Sequence, residues 1–556
     1  MSTAWWKKAV VYQIYPKSFN DTTGNGTGDI QGIIEKLDYL KELGVDVLWL
    51  TPIYQSPQRD NGYDISDYYS IHEEYGTMED FDLLLAEAHK RGLKIIMDIV
   101  INHTSTEHEW FKQAKSSKDN PYRDFYIWKD GKNGEPPTNW ESKFGGSAWE
   151  YDETTKQYYL HLFDVTQADL NWENEQLRAA LYEMMHFWLR KGVDGFRLDV
   201  INLISKDQHF PQDESDGRKF YTDGPRIHEF LHEMNEQVFS KYDIMTVGEM
   251  SSTSIDNCIR YTNPDQKELN MTFSFHHLKV DYPNGDKWTK ADFDFQALKD
   301  ILSKWQIEMN EGGGWNALFW CNHDQPRAVS RFGDDIHYHK ESAKMLATTL
   351  HLMQGTPYIY QGEEFGMTNP NFNAIDKYRD VESLNMFQIL KNRGLEEQQI
   401  LEILKQKSRD NSRTPVQWND QKNAGFTTGT PWIDTAANYK EINAEKAVQD
   451  TDSIFYHYQK LIQLRKEKDV ITDGDFQLIL GQDPDLFAFI RTNGAERVLV
   501  INNFYDRETR FILPSQLNLD GADSEMLISN YEDSPAHLDQ EMVLRPYESI
   551  VYYLKN

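Results

Sequence analysis

The chain has 556 residues, 39% hydrophobic and 26% charged, a composition that excludes a disordered or fibrous protein. Its 58 basic and 89 acidic residues leave a net charge of −31, which argues against nucleic acid and anionic membranes as main partners, since both need a basic footprint. Two cysteines, Cys258 and Cys321, are too few for a disulfide framework, and no apolar window approaches a signal core or a membrane span. A cytoplasmic setting is expected.

In chain order, Val10–Tyr15 reads as a strand. The stretch IIEKLDYLKELGVDVLWLTP then sets Ile33, Ile34, Leu37 and Leu40 on one helical face, followed by Gly44 and the strand Val47–Leu50. FDLLLAEAHKRGLKIIMDIV repeats the layout with Phe81, Leu84, Leu85 and Ala88, then Gly92, then Ile95–Val100. LRAALYEMMHFWLRKGVDGFRLDV repeats it again with Leu177, Leu181, Met184 and Trp188, then Gly192, then Phe196–Val200. Further strands are expected at Ile244–Val247, Met271–Phe275, Ala317–Trp320 and Tyr358–Tyr360. Apolar strands that follow amphipathic helices predict a parallel sheet covered by helices, and eight of them match a (β/α)₈ barrel. An open doubly wound sheet is the rival, but no G-x-G-x-x-G follows the first strand.

The gap between the third strand and the next helix is too long for a structureless loop, so residues 104–172 are expected to form an inserted subdomain. Beyond about residue 468 the pattern changes to FQLILG, LFAFIRT, RVLVINNF, TRFILP and SIVYYL. These short strands between turns predict a C-terminal antiparallel β-sandwich. The expected division is therefore barrel 1–103 and 173–468, insertion 104–172 and sandwich 469–556.

In such a barrel, chemistry sits at the C-terminal ends of the strands. The third strand ends near Asp98, Asn102 and His103, and the fourth carries Arg197 and Asp199. The fifth ends at Glu249, and the seventh runs into His323 and Asp324. Any one of these could be a satisfied structural group, and Asp98, deep in its strand, reads as structural. Several carboxylates meeting at one mouth are costly unless function needs them. Paired carboxylates suit glycosyl transfer: one attacks the anomeric carbon, and the other, with raised pKa, protonates the leaving oxygen.

DIVINH (98–103), QADLN (167–171), GFRLDV (195–200), GEM (248–250) and NHD (322–324) together resemble the α-amylase family of glycoside hydrolases, in order and over essentially the whole chain. The resemblance implies Asp199 as nucleophile, Glu249 as acid/base and Asp324 as the third carboxylate gripping sugar hydroxyls. It implies Asp60, Tyr63, His103, Arg197 and His323 around the first sugar, and Arg413, in SRDNSRTPVQW, closing the non-reducing end. DNGYDI, Val200 and SRDNSRTPVQW are similar to exo-acting oligo-1,6-glucosidases. SDGRKFYTDGPR (215–226) and MTFSFHHLKVDYPNGDKW (271–288) resemble instead a branch that splits α,α-trehalose 6-phosphate into glucose and glucose 6-phosphate by double displacement.

A phosphate needs cations, and Lys279, Lys287 and Arg218 are the first candidates, with His276, His277, Lys219 and Lys290 nearby in sequence. No cofactor is needed for the chemistry. DTTGNGTGD places oxygen donors at Asp21, Thr23, Asn25, Thr27 and Asp29, the spacing of the first part of a calcium loop without its closing Glu. Related glucosidases carry an ion there, so a structural Ca²⁺ or Mg²⁺ is expected. The rivals are isomalto-oligosaccharide hydrolysis, transfer or isomerisation through the same intermediate, and a non-catalytic amylase-like subunit.

Overall fold

The computed structural model describes residues 4–517 and 523–555; the outermost residues of the expected barrel and sandwich ranges lie outside these. Eight parallel strands close into a barrel in sequential order. They are β1 (Val11–Ile14), β2 (Val47–Leu50), β3 (Lys94–Ile99), β4 (Gly195–Leu198), β5 (Met245–Glu249), β6 (Met271–Phe273), β7 (Asn316–Leu318) and β8 (Thr356–Tyr360). All are buried along their length except at Lys94, which opens β3. Runs such as VLWL require that when helices cover the outside.

The helices follow the apolar periodicity. Met78–Lys90 begins with a capping box between Thr77 and Asp80 and buries Phe81, Leu84, Leu85 and Ala88. Glu175–Lys191 is capped by Asn174 and buries Leu177, Leu181, Met184 and Trp188. The helix expected around Ile33–Leu40 is broken into Ile30–Glu35 and Leu37–Leu43 at Lys36, whose N–H bonds to both Ile33 and Ile34 carbonyls as the turn tightens. Gly44, Gly92 and Gly192 all have positive φ, as helix ends leading straight into strands demand. Gly195 opens β4 for a steric reason: a Cβ there would stand 1.9 Å from the Met245 carbonyl of the neighbouring strand.

The strand Phe196–Val200 is shorter than its apolar run. β4 stops at Leu198, and Val200 turns into the left-handed region at φ 38°. Asp199 therefore stands on the corner where the strand leaves the barrel. For a β-branched residue that backbone is strained, and it sits beside a cluster of buried charge.

Between β3 and β4, His103–Ser105 pairs antiparallel with Gln167–Asp169, so the intervening chain leaves and returns at one point. It contains the helix Glu109–Ser116 and a three-stranded sheet of Trp128–Lys129, Gln157–Leu160 and Trp149–Asp152. Its Trp140, Trp149, Leu160 and Leu162 pack against Val200, Leu203, Phe210 and Tyr221 of the loop after β4. A second outgrowth follows β8, where helices Val381–Asn392 and Glu397–Lys407 build their own small core.

At the C-terminus a five-stranded antiparallel sheet faces a two-stranded one, Thr509–Ile512 with Glu541–Leu544. Strand Leu486–Asn493 shows how the period of two divides the work. Leu486, Ala488 and Ile490 enter the core between the sheets, while Phe487 and Phe489 enter the core shared with the barrel. Among the described residues no helix is long and apolar enough to cross a membrane.

Candidate active site

A cavity of about 270 Å³ opens at the C-terminal end of the barrel. Asp199, Glu249 and Asp324, from the ends of β4, β5 and β7, all line it. Asp60, Tyr63 and His103 line it too, whereas Arg197, His323 and Arg413 stand behind the carboxylates.

Arg197 is the hub. Register places it opposite Asp98 on β3, and its guanidinium donates to Asp98 at 2.8 and 3.0 Å, to Asp199 at 2.6 Å, and to Glu249. Asp98 also accepts from Trp49 Nε1 at 3.2 Å and Tyr63 Oη at 2.9 Å. It thus fixes the arginine and the stacking ring together, from beneath the cavity. A fully buried cation facing three carboxyls is held by geometry a lysine could not reproduce.

The Asp199 and Glu249 carboxyls are held on the two ends of the same guanidinium, so the ionisation of one disfavours that of the other. Burial pushes Glu249 up to about 8, with Asp199 and Asp324 adding to it against the pull of Arg197. Burial raises Asp199 as well, opposed first by Arg197. Glu249 is the natural owner of a proton. Val200 N–H also donates to Glu249 Oε2 at 3.1 Å, so the corner residue after Asp199 aims the acid.

Asp324 has the opposite balance. Burial alone would raise it, but His323 once protonated in acid, and Arg409 and Arg413 at every pH, hold it well below the usual carboxylate range. Arg413 Nη2 donates to it at 2.6 Å and Arg413 Nε to the His323 carbonyl at 2.8 Å. Arg409 bridges Asp324, Asp60 and Asp380. Burial carries Asp60 up to about 6 against these two arginines.

Both histidines are neutral, because burial pushes His103 down to about 4 and His323 to about 3. His323 is stacked against Tyr63, centroids 5.1 Å apart, with Tyr15 stacked at 6.0 Å. Gln13 contacts its Nδ1 at 2.7 Å, and its Nε2 makes no hydrogen bond, lying 3.4 Å from Asp324 Oδ2. His103 meets the Tyr63 carbonyl and Gln167 through Nε2. Behind it Lys206 and Asp169, from QADLN, form a buried pair at 2.8 Å.

The cations named for a phosphate are dispersed in role. Lys279 lines the cavity with its ammonium 3.4 Å from Ser252 Oγ. Lys287 lines it too, but is clasped by both oxygens of Glu382 at 2.8 and 3.0 Å. Arg218 lies half exposed and bonded to Asp216 at 2.9 Å. Sequence reasoning missed Lys143, Phe144 and Phe163 of the insertion and Glu382 and Arg409 of the outgrowth after β8, all of which line the cavity. Arg409 lies in the same SRDNSRTPVQW segment as Arg413, four residues earlier, and that i, i+4 spacing was the available signal.

In the loop from Asp21 to Asp29, Asp21 accepts from the N–H groups of Thr23, Gly24 and Gly26 and from Thr427 Oγ1. Asp29 caps the helix Ile30–Glu35 through Gly32 N–H and accepts from Thr22. Among the described residues no three His, Cys, Asp or Glu side chains gather tightly enough to hold a metal. Two carboxylates among neutral oxygens fit only a hard cation such as Ca²⁺ or Mg²⁺.

A barrel whose strand ends bring three acids around one arginine, walled by an insertion after β3, defines a glycoside hydrolase. Residues 13–474 match the family model described as alpha amylase, catalytic domain, and 486–551 match that of the alpha-amylase SusG C-terminal domain. The chain belongs to the α-amylase family. It is 70% identical over 554 residues to a trehalose-6-phosphate hydrolase of Bacillus subtilis, covering 99% of this chain and 98% of the relative. An oligo-1,6-glucosidase of Parageobacillus thermoglucosidasius is 56% identical with full coverage of both. The crystal structure of a Bacillus licheniformis trehalose-6-phosphate hydrolase superposes with a TM-score of 0.96 at 71% identity, covering 100% of both chains.

Proposed function

We propose that the chain hydrolyses α,α-trehalose 6-phosphate to glucose and glucose 6-phosphate, with retention at the anomeric carbon. The observation that carries the chemistry is that one guanidinium, Arg197, donates to both Asp199 and Glu249, which holds the two carboxyls side by side as the short separation of a retaining pair requires. What supports the phosphorylated substrate is the full-length likeness to two trehalose-6-phosphate hydrolases together with cavity-lining Lys279 and Lys287 in a chain of net charge −31.

Asp199 attacks the anomeric carbon of the unphosphorylated glucose and forms a β-glucosyl ester. Glu249, protonated near neutral pH by its burial, gives its proton to the departing oxygen of glucose 6-phosphate. It then takes a proton from the water that opens the ester. Asp324, kept ionised by Arg409 and Arg413, accepts sugar hydroxyls, and the excess of acids stabilises the developing oxocarbenium charge. The Asp60–Arg409 and Asp324–Arg413 pairs close the far end of the cavity, which confines action to a chain terminus. Lys279 and Lys287, which line the cavity, face the phosphorylated sugar, whereas Arg218 stands outside the lining and is paired with Asp216.

The loop from Asp21 to Asp29 is proposed to hold a structural Ca²⁺ or Mg²⁺ with no part in the chemistry. The two free cysteines, both buried, suit a cytosolic protein. The deciding assay compares kcat/KM for trehalose 6-phosphate with that for isomaltose, with polarimetry to follow anomer release. Preference for the phosphorylated sugar is expected; equal or faster isomaltose turnover favours the oligo-1,6-glucosidase reading instead.

A further inference from the structure

The two ends of the cavity differ in how their charges are compensated. Around Asp324 every guanidinium meets carboxylates. At the mouth, Lys143 Nζ reaches only Ser251 Oγ, at 3.1 Å, and Lys279 Nζ only Ser252 Oγ, at 3.4 Å. Among the described residues neither lysine is in an ion pair, although Lys287 and Arg218 beside them are. Two like charges over adjacent serines, at the end of β5 that delivers the acid Glu249, repel one another at a position where an anion would relieve the repulsion.

The backbone carrying Lys143 is fixed. Its N–H donates to the Leu162 carbonyl at 2.8 Å, and the preceding Ser142 Oγ donates to the Phe163 carbonyl at 2.6 Å. The ammonium is thus projected by a braced edge of the insertion, not by a free loop.

We propose that Lys143 is a specificity-determining residue that holds the phosphate of the leaving sugar, closing a clamp with Lys279 over Ser251 and Ser252. This rests on the phosphorylated-disaccharide reading and adds to it a ligand from a different part of the fold. It explains why an insertion after β3 has to pack against the loop after β4: Lys143, Arg218 and the cavity mouth are brought together by the shared core of Trp140, Leu160, Phe210 and Tyr221.

The charged groups facing Lys143 are Arg218, Lys279, Asp216 and Glu249, with the Tyr221 ring centre 5.7 Å away. Burial, then Arg218 and Lys279, brings its ammonium down to about 7. A phosphate dianion reverses that balance, so the substrate binds with uptake of a proton.

The test is the ratio of kcat/KM for trehalose 6-phosphate to that for unphosphorylated trehalose, whose leaving sugar needs the same proton, in wild type, K143M and K143R, between pH 6 and 8.5. The ratio cancels the titration of Glu249, which both substrates share. K143M should lower it at least tenfold, the worth of one charged hydrogen bond. K143R should restore most of it and flatten its decline above pH 7, since arginine keeps its charge. An unchanged ratio in K143M, or an equal loss on both substrates, overturns the role of Lys143 while leaving the substrate reading intact. A wild type indifferent to the phosphate overturns both.

Discussion

The floor of the cavity and its mouth are built on opposite principles. On the floor Asp98, Asp199, Glu249, Asp324, Asp60 and Asp380 surround Arg197, Arg409 and Arg413. Acids outnumber bases, every base is paired, and the surplus of negative charge sits where a glucosyl cation would develop. At the mouth the balance is reversed, with Lys143 and Lys279 free of ion pairs among the described residues. The difference teaches where catalysis and selectivity are stored. The floor is rigid because breaking a buried pair is expensive, whereas the mouth carries charge that only a substrate can complete.

The sharpest way to break this division is at the floor. Asp199→Asn should lower kcat on every α-glucoside by about 10⁴ or more, the scale set by removal of other nucleophiles that act as part of a unit. Rapid-quench assays should show no glucosyl-enzyme. Full turnover in that variant would end the double-displacement account. Glu249→Gln should cost about 10²–10⁴, with azide rescuing de-glucosylation when the leaving group is activated. Arg197→Lys should act on both stability and rate, because it strips contacts from Asp98, Asp199 and Glu249 at once. Loss of one partner of such a buried set costs about 3–5 kcal/mol, measurable by denaturant titration.

The floor was legible in the sequence for a physical reason. Its groups lie at the ends of apolar strands, where a charged residue is an anomaly that the helix–glycine–strand repeat makes visible: Asp199 in GFRLDV, Glu249 in VGEM, Asp324 in NHD. Asp98 was readable as structural from its depth, and it is the residue that anchors Arg197. The mouth was not legible in the same way. Lys143 sits in an irregular segment and Glu382 in the first turn of a helix far away in sequence, and either charge looks solvated until packing turns it inward. The broken first helix and the small core after β8 escaped for a related reason, since local periodicity does not report where a tertiary contact interrupts a helix or adds a layer.

At the boundary between the two regions, the raised pKa of Glu249 gives a pH test. Glu249 must be protonated to release a sugar hydroxyl, and its pKa is raised to about 8, so kcat/KM for unphosphorylated trehalose should fall as pH climbs through about 8. Val200→Gly should reduce kcat more than KM. It relieves the strained backbone that aims an N–H at Glu249, and the expected loss is about tenfold, the worth of one misdirected charged hydrogen bond. At the mouth, Lys279→Met should lower the preference for trehalose 6-phosphate over unphosphorylated trehalose about tenfold, and Lys287→Met by less, because Glu382 already neutralises that ammonium.

The smallest effect belongs to the loop from Asp21 to Asp29, none of whose residues line the cavity. Its two carboxylates already accept five N–H bonds between them, from Thr22, Thr23, Gly24, Gly26 and Gly32, so the loop is folded by its own backbone and an ion adds to a structure that exists without it. Chelation should therefore leave kcat/KM unchanged and lower Tm by only a few degrees, since stabilisation by a bound ion grows with the logarithm of its concentration over Kd. Calcium or magnesium added back should restore that Tm, and Asp21→Asn should abolish the response to either metal. A Tm indifferent to chelator and metal alike would leave the loop as a self-capped turn and remove the ion, with the contrast between floor and mouth untouched.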